Sequence, residues 1–137
     1  VATVTHIDES LLQVLTANAE VALQAGSRIY QVQAPQGTVF PCVVFNRDSQ
    51  LKTPFTHMLG AGSLIRATYT FSCISDNLLE VRNLARAVKA ALQYKSTSAI
   101  RLASCVSEDD QTEPAASGEQ LPIYRTDLQV EVTYSEP

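Results

Sequence analysis

Between residues 8 and 23 (DESLLQVLTANAEVAL) apolar side chains return every three or four positions, at Leu12, Leu15, Ala19 and Ala22. That spacing predicts one helix with an apolar stripe and a polar back. Asp8 reads as its N-cap, Ile7 as a staple onto Leu12, and Gly26 as its stop. Residues 28–32 and 42–48 then read as two short strands. In the second, Cys42, Val43, Val44 and Phe45 are all apolar, so both faces need cover. Residues 49–62 (SQLKTPFTHMLGAG) lose the pattern and read as a long loop.

Regular alternation returns at residues 64–74. Ile65, Ala67, Tyr69, Phe71 and Cys73 fall on one face and Arg66, Thr68, Thr70 and Ser72 on the other, which predicts a half-buried strand. Residues 76–94 form the strongest helix, with Leu78, Val81, Leu84, Ala85, Val88 and Leu92 inward. Residues 99–107 read as a strand, 108–120 (EDDQTEPAASGEQ) as an acidic loop, and 123–134 as a last strand. The inward set of that strand is Tyr124, Thr126, Leu128, Val130, Val132 and Tyr134. Strands mostly follow strands, so the fold class is α+β: two helices on one face of a largely antiparallel or mixed sheet of four to five strands, with long projecting hairpins and loops. Residues 1–137 are expected to form a single domain. At ~3.3 Å per residue the 64–74 strand would reach ~35 Å, so hairpin ends project and leave unpaired edges, which predicts a homo-oligomer.

The joint between the first two strands, RIYQVQAPQGTVFPCVVF, is longer than a hairpin needs. Ala34-Pro35-Gln36-Gly37 fits a type I turn, and Pro41 is placed to open the next strand. The expectation is a corner that steers the two strands apart.

Charge and composition narrow the function. Ten Lys and Arg against fourteen Asp and Glu, a net charge of -4, argue against tight binding of nucleic acid through its phosphates. No apolar run approaches the ~20 residues of a membrane helix, and no basic-then-apolar leader opens the chain. Cys42, Cys73 and Cys105 lack C-x-x-C spacing and sit in strand-like runs, so reduced, buried thiols are expected. His6 and His57 show no spacing that links them to a thiol or an acid, so no catalytic residue is assigned. Glu108, Asp109, Asp110 and Glu113 lack the alternating ligands and fixed glycine of a calcium loop, and Gly60-Ala61-Gly62 lacks the Lys-Ser/Thr of a phosphate loop. No metal or cofactor site is assigned. Arg82, Arg86 and Lys89 form a basic stripe on the second helix, read either as a solvated face or as a docking stripe for an acidic partner.

The ordered set Arg28-Ile29-Tyr30, Ala34-Pro35-Gln36-Gly37, Pro41-Cys42-Val43-Val44-Phe45 and NLARAVKAAL at residues 83–92 resembles the phage tail completion, or tail terminator, family. The apolar 52–59 segment and the acidic 108–120 stretch depart from the family pattern. The resemblance implies a virion structural protein without catalysis, forming a six-fold ring of its own copies at the head-proximal end of the tail. The implied partners are the tail tube protein and the head-tail connector or neck protein. Genomic DNA would pass through without specific binding, no membrane would be involved, and assembly would occur in the host cytoplasm. On this reading Thr53, Phe55, His57, Met58 and Leu59 are candidates for a subunit or tube interface, since exposed apolar groups on a loop call for a cover. Arg66, Arg125, Asp127 and Glu131 are candidates for a polar sheet face lining the lumen. Competing readings are a neck or head-completion protein, a small ligand-binding or regulatory α+β domain, and an enzyme with a reactive cysteine.

Overall fold

The computed structural model of the chain describes residues 7–26, 28–33, 39–53, 64–96, 100–113 and 123–135. The elements run α1 (Ile7–Ala17), α2 (Ala19–Ala25), β1 (Ile29–Gln31), β2 (Cys42–Thr53), β3 (Leu64–Ser75), α3 (Leu78–Leu92), β4 (Ile100–Glu113) and β5 (Ile123–Ser135). The five strands form one mixed sheet in the order β1-β2-β3-β5-β4, with β1 parallel to β2 and every other pair antiparallel. The α+β class and the five strands agree with the sequence reading.

The expected first helix is two helices. Asn18 divides it because its side-chain oxygen accepts from the backbone N–H groups of Glu20 and Val21 at 3.0 and 3.2 Å, capping a new helix start. The break resets the phase of the apolar stripe. Ile7, Leu11 and Leu15, then Val21 and Ala25, are buried, whereas Ala19 and Ala22 are exposed and Leu12 is half-buried. Asp8 is not the N-cap: it lies inside the first turn, and its carboxylate accepts from the Tyr69 hydroxyl and the Gln31 side-chain amide. That bond ties α1 to the sheet. Gly26 does end α2, at φ 59.

The joint is also corrected. It does not steer β1 and β2 apart but makes them a parallel pair, Ile29 opposite Val43 through Gln31 opposite Phe45. A parallel pair cannot be closed by a two-residue turn, because the chain must travel back to the start level before the second strand begins. That is the physical reason for its length. The Ala34–Gly37 turn lies outside the described residues, but β2 does begin directly after Pro41, which follows a cis peptide bond. Arg28 locks this corner: Nε donates to the Pro41 carbonyl at 2.9 Å and Nη2 to the Gln24 carbonyl at 3.2 Å. The side chain thereby joins the end of α2 to the start of β2.

Two expected loops are partly strand. Residues 49–53 continue β2 and residues 108–113 continue β4, paired with β3 and β5 respectively. Both extensions follow a register shift, between Arg47 and Ser49 in β2 and between Cys105 and Ser107 in β4. An extra residue flips the in-out phase, so a period-two reading stops there although the strand does not.

β3, β5 and α3 supply the centre of the core. Ile65, Ala67, Tyr69, Phe71 and Cys73 of β3 and Thr126, Leu128, Val130, Val132 and Tyr134 of β5 are buried on the helix side, as the alternation predicted, whereas Tyr124, also expected inward, is half-buried near the start of β5. Phe71 stacks on Phe45 with ring centroids 5.2 Å apart, and Tyr69 tilts against both rings. α3 presents Val81, Leu84, Ala85, Ala87, Val88, Ala91 and Leu92 to this layer. Leu78, expected inward, is 44% exposed, because the Asn77 cap places it at the mouth of the first turn. Ser75, fully buried at the strand end, accepts from the Asn77 N–H and donates to Glu80, which fixes the start of α3.

Candidate functional site

The groups with displaced protonation equilibria lie in the core. Burial pushes the Tyr69 phenol far above its usual range, helped by the bond to Asp8. Burial likewise raises the thiols of Cys42, Cys73 and Cys105; Arg28 and Lys89 oppose this only in part at Cys42 and Cys105. A raised thiol is a neutral, weakly nucleophilic one, opposite to what a catalytic cysteine requires. All three are free thiols, as expected, with Cys105 only partly buried. His6 and His57 lie outside the described residues. Among the described residues no group of three His, Cys, Asp or Glu could hold a metal ion, and no helix is long and apolar enough to cross a membrane.

The outward face of the sheet gathers the predicted polar residues. Arg66 stands opposite Thr133, Thr68 opposite Glu131, Ser72 opposite Asp127 and Ile74 opposite Arg125, which places Arg66, Arg125, Asp127 and Glu131 on one face. They form two ion pairs, Arg66 Nε to Glu131 Oε1 at 3.4 Å and Arg125 Nε to Asp127 Oδ1 at 3.3 Å. The second is the better shielded, its side chains 30% and 20% exposed against 54% and 41%, so it is the more rigid point of the face.

The Asp127 carboxylate also accepts from the Ser72 hydroxyl at 2.7 Å and from the Gln111 amide at 3.4 Å. Gln111 in turn accepts from Arg125 and donates to Asp109 at 3.4 Å. Asp109 and Asp127 are direct cross-strand neighbours. Asp48 joins the same face by accepting from Thr70. Sequence reasoning missed Asp109 and Gln111 as members of this face because it placed 108–120 in a loop, and it did not assign Asp48, at the register shift of β2, to either face. A continuing strand after a register shift was the signal to seek.

The basic stripe on α3 lies beside the acidic run of β4 in loose, solvent-exposed pairs. Arg82 Nη2 lies 3.9 Å from Asp110 and Lys89 Nζ 3.9 Å from Glu108, while Arg86 shares the same cleft of about 270 Å³. The acidic residues near it belong to β4 of the same chain: the Glu108, Asp109 and Asp110 run, read as a solvated loop, is exposed but is strand, paired with β5. Thr126 secures this contact by donating to Asp110 at 2.7 Å from a buried position. Thr53 is the last residue of β2; Phe55, His57, Met58 and Leu59 lie outside the described residues. A larger cleft, about 680 Å³, opens between α2 and α3, lined by Glu20, Leu23, Glu80, Arg86 and Ala90 among others.

The site is therefore a surface: a charged and hydrogen-bonded sheet face over a sealed apolar core. Comparison with curated proteins finds no match. Among solved structures, the chain is similar to a chain of the "Virion of native gene transfer agent (GTA) particle", with a TM-score of 0.63, 15% identity and 92% of each chain covered. At that identity the likeness speaks for the fold. The family model described as "Tail completion protein gp17" matches residues 9–135, nearly the whole chain. The chain belongs to the tail completion protein gp17 family, and its part is a structural one in a virion tail.

Proposed function

We propose that this protein is a tail terminator. Copies assemble into a ring, six-fold, at the head-proximal end of the tail, where the ring stops polymerisation of the tail tube and offers its other side to the head connector. The observation that carries this reading is the family match across residues 9–135. The physical features agree with it: a polar sheet face built from ion pairs, thiols held neutral by burial, and an outer strand, β4, exposed from Val106 through Thr112. Assembly takes place in the host cytoplasm from the protein's own copies, the tube protein and the connector.

The outward sheet face is proposed to line the lumen. Asp48, Asp109, Asp127 and Glu131 stand there beside Arg66 and Arg125, an excess of carboxylate that lets DNA pass without adsorbing. Electron micrographs of the purified protein, alone and with tail tubes, test the reading directly: capped tubes are expected, and a ring found at a head portal without a tube would move the protein to the neck. Deleting residues 53–59 is expected to leave the monomer folded and to abolish attachment to the ring or tube. Unchanged capping by that variant would remove the segment from the interface.

A further inference from the structure

Among the described residues, both edges of the sheet are covered for only part of their length, and the open parts lie at diagonally opposite corners. On one side β1 pairs with residues 43–45 of β2, and the Val32 N–H adds a last bond to the Phe45 carbonyl. Among the described residues, nothing pairs with the outer edge of β2 over residues 46–53. On the other side the Ala103 N–H donates to the Lys95 carbonyl at 3.0 Å and the Cys105 N–H to the Gln93 side chain at 2.7 Å. Among the described residues, no strand lies beyond residues 106–113 of β4.

The registers align these stretches. Asn46 is opposite Thr70, Thr70 opposite Gln129, and Gln129 opposite Ser107, so one row across the sheet marks where cover ends on both sides. Residues 46–53 run from that row toward one end of the sheet and residues 106–113 toward the other. Because β2-β3, β3-β5 and β5-β4 are each antiparallel, β2 and β4 run in opposite directions. A second copy placed beside the first in the same orientation, shifted along the strands by about half a sheet, therefore brings an open β4 edge against an open β2 edge in antiparallel sense.

Charge selects this pairing over the symmetric ones. Residues 106–113 (VSEDDQTE) hold four carboxylates and no Lys or Arg, whereas residues 46–53 (NRDSQLKT) hold Arg47 and Lys52 against Asp48. Two β4 edges joined to each other would set carboxylates opposite carboxylates, which destabilises a strand pair. The acidic edge thus rejects its own kind and accepts the cationic one, a combination of repulsion and attraction that specifies a head-to-tail contact.

We infer that residues 106–113 of one copy add as an antiparallel strand to residues 46–53 of the next, making one continuous sheet around the assembly. This rests on the self-assembly part of the proposed function and supplies its joint. A fixed shift at every joint inclines the strands to the ring axis, as shear does in a closed barrel.

The test uses the full chain. In sedimentation velocity over a range of concentrations the unaltered protein is expected to assemble. Asp109→Lys is expected to weaken association about tenfold while leaving thermal stability equal or higher, since it removes the like charge facing Asp127. Mild oxidation of a chain carrying both Ser49→Cys and Gln111→Cys is expected to give a ladder of covalent oligomers, with neither single variant doing so. Assembly that survives Asp109→Lys unchanged and yields no ladder places the joint elsewhere and overturns this inference while the ring stands. A protein that stays monomeric at every concentration and on tail tubes overturns the ring itself.

Discussion

The central strands β3 and β5 and the outer strands β2 and β4 are of similar length, yet they solve different problems. β3 and β5 keep in-out alternation without a register shift between them and bury one face under the helices from Ile65 to Cys73 and from Thr126 to Tyr134. Among the described side chains, β2 buries Cys42, Val43 and Phe45 and β4 buries Ile100 and Ala103, all before the shifts at Arg47/Ser49 and Cys105/Ser107. Past their register shifts both carry polar side chains, and β4 is exposed from Val106 through Thr112. The centre is organised by water exclusion, which constrains every second residue. Past their register shifts the outer strands pair, among the described residues, with one neighbour each, β2 with β3 and β4 with β5.

This contrast is open to direct attack. Phe71→Ala removes a ring stacked on Phe45 at the middle of β3 and is expected to cost about 3–5 kcal/mol in denaturant unfolding. Val106→Ala, at a position 56% exposed, should stay within about 0.5 kcal/mol; similar losses at the two sites would break the comparison. Tyr69→Phe keeps the packing but takes a donor from Asp8, so a loss of about 1–2 kcal/mol is expected, with earlier exchange of the α1 amides. An unchanged stability would mean that α1 is held by its apolar stripe alone. The last effect, opposite in sign, concerns the opposite edge. Val32 sits at φ 70, a backbone region that a β-branched residue enters at a cost, and its side chain is 68% exposed. Val32→Gly is therefore expected to stabilise the protein by about 0.5–1 kcal/mol, read from the midpoint of the same unfolding curve.

How much of the molecule was legible follows the same division. The inward sets of β3 and β5 could be read residue by residue because alternation and burial coincide there. In α3 the stripe was read almost whole, with Ala87 and Ala91 missed because alanine is apolar enough for either side of a helix. The first helix was misread at Asn18, whose cap competes with a pattern that continues on both sides of it. Half of the polar face was found through Arg66, Arg125, Asp127 and Glu131, which lie on the readable strands. The other half sits at or beyond register shifts, Asp48 at the one in β2 and Asp109 and Gln111 past the one in β4. The docking stripe was found as a stripe, but its partner on β4 was hidden by the same error.

Local chemistry by itself determined the α+β class, the two central strands, the strongest helix, the start of β2 after Pro41, and the residues that carry the family likeness. These are properties of short windows, in which side-chain period and backbone preference point the same way. Only the tertiary structure decided that β1 runs parallel to β2, that the acidic run is a strand beside Arg82 and Lys89, and that, among the described residues, the sheet edges are unpaired at two opposite corners. Each of these depends on which distant segment lies alongside. That choice is made by burial of the whole core and by strand register, which no single window of the chain contains.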